Sequence, residues 1–323
     1  MTQPGTQHLA AEQVLRRLEL RVTRRIDGLL HGDYLGLLPG PGSDLAEARV
    51  YRPGEDDVRR MDWNVTARTT VPHVRDLIAD RELETWALVD ASGSMDFGTA
   101  EIEKRELATS AVAAIGFLTA HAGNRLGAHV LHGGAVRRIP ARSGRGALFA
   151  TVRALLELPR TPEGTVDPSG PSLGDAIDGL RRTARRRGLA VLVSDFIDGM
   201  DDPDHPAWER PIRRLAARHQ VLAIEVIDPR ELELPDVGVL TLVDSETGRR
   251  REVSTSNQRT RDRYAEAAAA QRESIRMALR RAGAAHMQLR TDRDWLRDVV
   301  QFVVTQRRMS RAGGAKAPTG GSA

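Results

Sequence analysis

From position 84 onward the chain alternates between two textures. Apolar-rich segments, mostly Ala, Val, Leu and Ile, make up 85–89, 126–131, 189–193, 221–227 and 285–289. Runs of that length without polar alternation read as strands buried on both faces, the mark of a parallel sheet covered by helices. Between them, 103–122, 145–156, 173–187 and 208–218 space apolar residues three and four apart, which predicts helices. The pattern as a whole predicts an α/β domain on a doubly wound, mostly parallel six-stranded sheet in the order 3-2-1-4-5-6. The third strand, 136–139, follows its predecessor too closely for a parallel crossover, so an antiparallel return at the sheet edge is expected.

Other segments attach to that core. Residues 1–31 carry Leu9, Val14, Leu18 and Ile26 at mostly helical spacings among charges and predict an N-terminal helix. Residues 32–80 are rich in turn formers, Gly32-Asp33 and Pro39-Gly40-Pro41-Gly42-Ser43, with a short strand at 47–51, and read as an irregular β segment. Within the main domain, 81–308, the runs 239–243 and 250–254 flank Asp244 to Gly248 and predict an inserted hairpin at 237–255. Because neither the hairpin, 239–254, nor the region 32–74 has another visible partner, the two are expected to pack as a small β unit. A long helix at 257–282 and a last one at 292–308, capped by Thr291, complete the core. The Gly, Ala, Pro and Ser tail, 309–323, reads as disordered.

Composition narrows the function classes. A chain of 323 residues with 40% hydrophobic side chains can bury a large core. The absence of cysteine removes disulfides, thiolate metal sites, iron–sulfur clusters and cysteine nucleophiles together. Basic and acidic residues nearly balance, 48 against 44, which gives no case for a nucleic-acid partner. Only Lys104 and Lys316 are lysines among those basic residues. No stretch approaches the roughly twenty apolar residues of a membrane span, and 1–16 lack the apolar centre of a signal peptide. The simplest reading is a cytoplasmic protein.

The chemistry concentrates at strand ends. Val89-Asp90-Ala91-Ser92-Gly93-Ser94-Met95 puts an acid and two hydroxyls at the carboxyl end of the first core strand. Ser194-Asp195 closes the fourth, which is the first strand's neighbour where the strand order reverses, the usual ligand crevice of an open sheet. Hard oxygen donors without histidine or thiolate suit Mg²⁺, Mn²⁺ or Ca²⁺ and suit zinc or copper badly. Gly93 lets the loop turn tightly enough for Ser92 and Ser94 to face one ion. The competing reading makes Asp90, Ser92, Ser94 and Asp195 helix caps that need no metal. His129 and His132 lie three apart on a strand, on opposite faces, and form no joint site. No Walker loop, Gly-x-Gly-x-x-Gly, His-Glu-x-x-His or Gly-x-Ser-x-Gly occurs, so no ATPase or hydrolase signature is present.

Asp90-Ala-Ser-Gly-Ser94-Met resembles the first loop of von Willebrand factor A domains, whose metal-ion-dependent adhesion site combines an Asp-x-Ser-x-Ser loop, a threonine and a further aspartate. Asp195 matches that aspartate. The segment 49–63, RVYRPGEDDVRRMDW, followed by Thr66-Ala-Arg68, resembles the hallmark of a bacterial family with such a domain. That family is catalogued as domain of unknown function number fifty-eight and is associated with MoxR-type AAA+ ATPases. The resemblance runs from about 33 to 308. It implies a metal site of Asp90, Ser92, Ser94 and Asp195, with Gly93, Met95, Ser169 and Asp198 toward the partner. One position departs from the pattern: Pro171 stands where the threonine is expected, and Ser172 or Ser169 could substitute in a shifted loop.

The leading expectation is therefore a non-enzymatic protein-binding module. Its Mg²⁺ or Mn²⁺ leaves a coordination position for a partner's carboxylate, and the partner is a MoxR-type AAA+ ATPase or one of its clients. The alternatives are a metal-free scaffold and a Mg²⁺-dependent phosphoester hydrolase. The hydrolase is disfavoured because Ser92 stands where aspartyl phosphatases carry a second carboxylate. In the hallmark segment, Arg49, Arg52, Arg59, Arg60 and Arg68 alternate with Glu55, Asp56, Asp57 and Asp62 around Tyr51 and Trp63. Such forks and acids can lock an irregular segment onto a sheet domain.

Overall fold

The computed structural model describes residues 16, 48–51, 61, 63–75, 84–119, 124–161, 170–243 and 248–314. At its centre is a six-stranded sheet: β3 (Glu84–Asp90), β4 (Arg125–His132), β5 (Ala135–Ser143), β6 (Gly188–Ser194), β7 (Gln220–Ile227) and β10 (Ala285–Arg290). Their spatial order is β10-β7-β6-β3-β4-β5, the expected order read from its far end. Every neighbouring pair is parallel except β4 and β5, which meet antiparallel at the edge.

Helices cover both faces, as strands made of continuous apolar runs require. Leu107, Ala111 and Ile115 of α2 (Lys104–Thr119), Leu148 and Val152 of α3 (Arg145–Leu156) and Trp295 and Val299 of α7 (Trp295–Gly314) bury against one face, with Ala87 and Val89 of β3. On the other face, Trp86 and Leu88 meet Leu173 and Ile177 of α4 (Leu173–Thr183), Ile212 of α5 (Glu209–Ala216) and Ile275 of α6 (Gln258–Arg281). The alternation of β3 between these two clusters is the sheet's period of two expressed as a pair of cores. The earliest described elements are β1 (Ala48–Val50), α1 (Trp63–Thr69) and β2 (His73–Arg75), with β1 and β2 paired antiparallel. The strands β8 (Val239–Val243) and β9 (Arg250–Ser254) form the inserted hairpin.

Several details depart from the sequence expectation. The edge strand β5 is longer than 136–139 because a register shift between Leu126 and Ala128 lets its ladder resume beyond Pro140. Gly127 stands at that shift. A Cβ there would lie 2.6 Å from Cζ3 of Trp86, so the missing side chain is the space the indole fills. Helix α4 stops at Thr183 rather than 187, because the chain must turn into β6 at Gly188. Thr291 does not cap the last helix: its hydroxyl donates to Asp228 at 2.9 Å, while Asp294 accepts from the Arg297 amide at 3.3 Å. The same helix continues to Gly314, into the stretch expected to be tail. The β1–β2 and β8–β9 pairs are separate two-stranded sheets, with no ladder joining them among the described residues. The expected N-terminal helix, apart from Arg16, most of the hallmark's arginines and acids, Ser169 and residues 315–323 lie outside the described residues.

Candidate functional site

Strands β3 and β6 are parallel neighbours in register from Glu84 against Gly188 to Val89 against Val193, so their carboxyl ends finish side by side. The chain leaves β3 toward β4 on one side, while β6 begins the other half of the sheet. This is the switch point at which open α/β sheets form a crevice.

Both acids at this point are buried, Asp90 to 2% exposure and Asp195 to 1%. Asp90 accepts the Ser92 amide at 3.0 Å through Oδ1 and the Ser194 hydroxyl at 2.6 Å through Oδ2. The Ser92 and Ser94 hydroxyl oxygens lie 3.2 Å apart, and the Ser94 hydroxyl also bonds Asp195. Asp90, Ser92, Ser94 and Asp195 thus converge as the sequence predicts. Ser194, which sequence reasoning passed over, ties them together: its oxygen also accepts the Phe196 amide at 3.0 Å. Phe196 adopts a left-handed backbone, φ 57°. That conformation costs on the order of 1 kcal/mol for a side-chain-bearing residue and persists where packing over-determines it. Here the fully buried Phe196 ring meets Trp208 edge-on at 5.4 Å, and the indole N–H donates to the Phe196 carbonyl at 3.2 Å.

The electrostatics separate the two acids. Lys104, the first residue of α2, is fully buried, and its ammonium donates to Asp195 Oδ2 at 2.8 Å and to Glu231 Oε1 at 2.5 Å. Burial opposes ionisation of Asp195, but Lys104 overrides it and holds the carboxyl below its ordinary value. Burial likewise opposes the Lys104 charge, and the two carboxylates raise its pKa above the lysine norm. Asp90 has no cationic partner among the described residues. Burial first, then the charge of Asp195, push its carboxyl from 3.8 up to about 6, against the bonds from Ser194 and Ser92. A buried carboxylate without a counter-charge is costly. The shortfall beside it, two hydroxyls and a second carboxylate of hard oxygen chemistry, fits Mg²⁺ or Mn²⁺. No group of three or more His, Cys, Asp or Glu suited to a metal occurs among the described residues, so serine hydroxyls would have to complete the donor set.

The second loop is differently used. Ser172 caps α4: its hydroxyl accepts the Asp175 amide at 3.2 Å while Asp175 Oδ2 accepts the Ser172 amide at 3.1 Å, a reciprocal capping box, and the hydroxyl also donates to Asp175 Oδ2 at 2.7 Å. Pro171 offers no hydroxyl. Asp198, expected to face a partner, accepts the Leu173 amide at 2.6 Å and so holds the same helix end. Met95 and Gly93 are buried and cannot form a partner surface; the Met95 side chain joins the core cluster beneath α2 and anchors the loop from below. Trp63 of the hallmark segment is 67% exposed. His129 is buried and His132 half-buried, and they form no joint site.

Behind Asp195 runs a chain of alternating charge that sequence reasoning missed altogether. Arg272 of α6 donates to the Asp195 carbonyl at 3.2 Å and to Glu225 at 3.1 Å, and lies 3.5 Å from Glu231. Glu225 in turn meets His286 at 2.8 Å and Gln288 at 2.9 Å. One signal could have found Lys104: it is the single lysine among the described residues of a chain that otherwise uses arginine.

The model of one family, described as "Protein of unknown function DUF58", matches residues 47–274. The uncharacterized protein Rv1480 of Mycobacterium tuberculosis (strain ATCC 25618 / H37Rv) is 54% identical over 299 residues, 93% of this chain and 90% of that protein. Among solved structures, the conserved hypothetical protein BatB from Bacteroides thetaiotaomicron is similar over 70% of this chain and 99% of its own, at 13% identity and a TM-score of 0.41. A von Willebrand factor type A protein from Catenulispora acidiphila is similar over 74% of this chain and 43% of its own, at 12% identity and a TM-score of 0.32.

Proposed function

The chain belongs to the protein family of unknown function DUF58, and from that premise and the strand-end geometry we propose that it is a non-catalytic protein-binding module. Its docking end is the crevice at the carboxyl ends of β3 and β6. Asp90, Ser92 and Ser94 hold Mg²⁺ or Mn²⁺ there, with Asp195, already paired to Lys104, contributing through water. When bound, the cation supplies a coordination position that a carboxylate of the partner fills. The hallmark's resemblance to the MoxR-associated family supports a MoxR-type AAA+ ATPase, or one of its clients, as that partner.

One observation carries this reading. Among the described residues Asp90 is a buried carboxylate with no cation to pair with, held beside two hydroxyls whose oxygens lie 3.2 Å apart. A cap residue would have no need of such a deficit. The chain's own residues do the rest: Ser194 fixes the Asp90 rotamer, and Phe196 and Trp208 fix the turn that carries Asp195.

The metal-free scaffold is the second reading. It is favoured by Ser172, whose hydroxyl is committed to its own helix, and by Pro171 at the threonine position. A pull-down with a MoxR-type ATPase, with and without EDTA and comparing wild type with Asp90→Ala, separates the two. The metal reading expects capture to be lost under either change, whereas capture indifferent to both favours the scaffold.

A further inference from the structure

The end of the sheet opposite the crevice carries a concentration of charge that the function proposed above leaves unused. Segments 181–187 and 213–218 hold eight arginines and no acid. Helices α4 and α5 pack against each other, and both finish at the amino ends of the strands, α4 leading into β6 at Gly188 and α5 into β7 at Gln220. Their arginines therefore gather at one end of the molecule. Seven of the eight are exposed, Arg181 alone being half-buried. The favourable field at a helix C-terminus accounts for Arg181, Arg182, Arg213 and Arg214, which stand in the last turns. It does not account for Arg185, Arg186, Arg187 and Arg218, which lie past the helix ends.

Within the two helices the chain supplies its own acids. Asp178 accepts Arg181 at 3.4 Å and, across to α5, Arg214 at 2.5 Å, while Glu209 accepts Arg213 at 2.5 Å. Past the helix ends the guanidinium groups of Arg185, Arg187 and Arg218 have no carboxylate partner among the described residues. Arg218 instead donates to the Arg185 carbonyl at 3.2 Å, which ties the two turns together. His219 is buried beside them, and the charges of Arg218 and Arg187 both reach it. Neither segment exposes a large apolar or aromatic side chain.

We propose that this arginine face is a second docking surface, and that its occupant is an acidic segment of a partner protein, whose carboxylates continue the pairing that Asp178 and Glu209 begin. Arginine forks match carboxylates bidentately. The face offers no ring for bases to stack on and no apolar anchor for a bilayer, which disfavours single-stranded nucleic acid and membrane as occupants. It also stands apart from the cation reading. β6 is seven residues long, which puts roughly 23 Å between this face and the crevice, well beyond a Debye length of about 8 Å at physiological salt.

The test is fluorescence anisotropy of a labelled oligoglutamate peptide titrated with the full chain in EDTA. Wild type is expected to bind it, more weakly as salt rises. Arg185→Glu/Arg187→Glu should bind about tenfold or more weakly, because each reversal removes one exposed attraction and adds one repulsion. Both side chains are exposed, so the melting temperature should stay at the wild-type value. Arg142→Glu/Arg251→Glu makes the same change of net charge at two exposed positions elsewhere and should bind as wild type does. His219 reports the place of binding. Burial chiefly lowers its pKa, a bond to the Ala184 backbone opposes that, and Arg218 and Arg187 lower it further. A bound polyanion offsets those two charges, so the imidazole pKa followed by NMR should rise as peptide saturates wild type. No binding to wild type at low salt, an equal loss in Arg142→Glu/Arg251→Glu, or an unmoved His219 overturns the inference. So does a DNA oligonucleotide or a phosphatidylserine vesicle that binds more tightly than the peptide and displaces it, since the face would then belong to nucleic acid or membrane. Asp90→Asn and added Mn²⁺ should leave peptide affinity unchanged. Binding that requires both Mn²⁺ and Asp90 belongs to the crevice, which supports the cation reading and overturns this one.

Discussion

Replacing Asp90 with asparagine tests whether that carboxylate serves the fold or is tolerated by it. In EDTA at about pH 7.5 Asp90 is ionised both in the fold and in the unfolded chain. Its rise from 3.8 to about 6 means the fold disfavours the charge by on the order of 3 kcal/mol. Asparagine removes the charge and keeps an oxygen for the Ser92 amide. It exchanges the 2.6 Å charge-assisted bond from Ser194 for a neutral one, a loss of about 1 kcal/mol. Asp90→Asn is therefore expected to stabilise the metal-free protein by roughly 2 kcal/mol, a rise of about 4 °C or more in a domain of this size. Calorimetric melting and urea denaturation in EDTA measure it. The sign with pH follows from linkage: the folded carboxyl takes up its proton at higher pH than the unfolded one, so wild type gains on the variant as pH falls through 6 and the advantage of Asp90→Asn is gone near 3.8. A variant less stable than wild type at about pH 7.5, or a difference that does not change with pH, would refute the reasoning and return Asp90 to the role of a structural cap.

Three further outcomes are expected. His129 is fully buried against Trp86, neither ring nitrogen has a hydrogen-bond partner among the described residues, and burial followed by Arg138 lowers its pKa from 6.5 to about 4. Its contribution is intact above pH 6.5 and is lost as pH falls toward 4, about 3 kcal/mol in all; the stability difference between wild type and His129→Leu, followed by urea denaturation, should show that slope. Ser172→Ala should cost about 1 kcal/mol through the lost cap while leaving Mn²⁺ affinity at the wild-type value, and a large affinity loss would make Ser172 a ligand. Gly188→Ala should prevent folding, as judged by circular dichroism, because its Cβ would fall 1.9 Å from the Glu84 carbonyl oxygen and force β6 off β3.

The sheet was legible because its central strands, β3, β4, β6 and β7, are buried on both faces and therefore read as largely apolar runs. Strand order followed from the doubly wound pattern of alternating strands and helices, and the two strand-end acids followed from strand order. What escaped was everything decided by local hydrogen bonding. Thr291 has the chemistry of a cap, but Asp228 competes for its hydroxyl and wins. Met95 and Asp198 sit beside the crevice in sequence, yet one turns inward to the core and the other back to a helix end, and no spacing rule reports rotamers. Lys104 escaped for a different reason. A lysine among acids at the start of a helix ordinarily reads as a solvated face, and only the coordinates reveal that its ammonium spans 91 positions of sequence to reach Asp195.

The most direct measurement is anomalous diffraction from crystals soaked in Mn²⁺, with Asp90→Asn crystals as the control. A single strong peak bounded by Asp90, Ser92 and Ser94, with Asp195 still on Lys104, is the predicted result, and it should vanish in the variant. Saturating Mn²⁺ that leaves the strand ends without a peak while Asp90 keeps its bonds to Ser92 and Ser194 would contradict the claim that this crevice holds a cation.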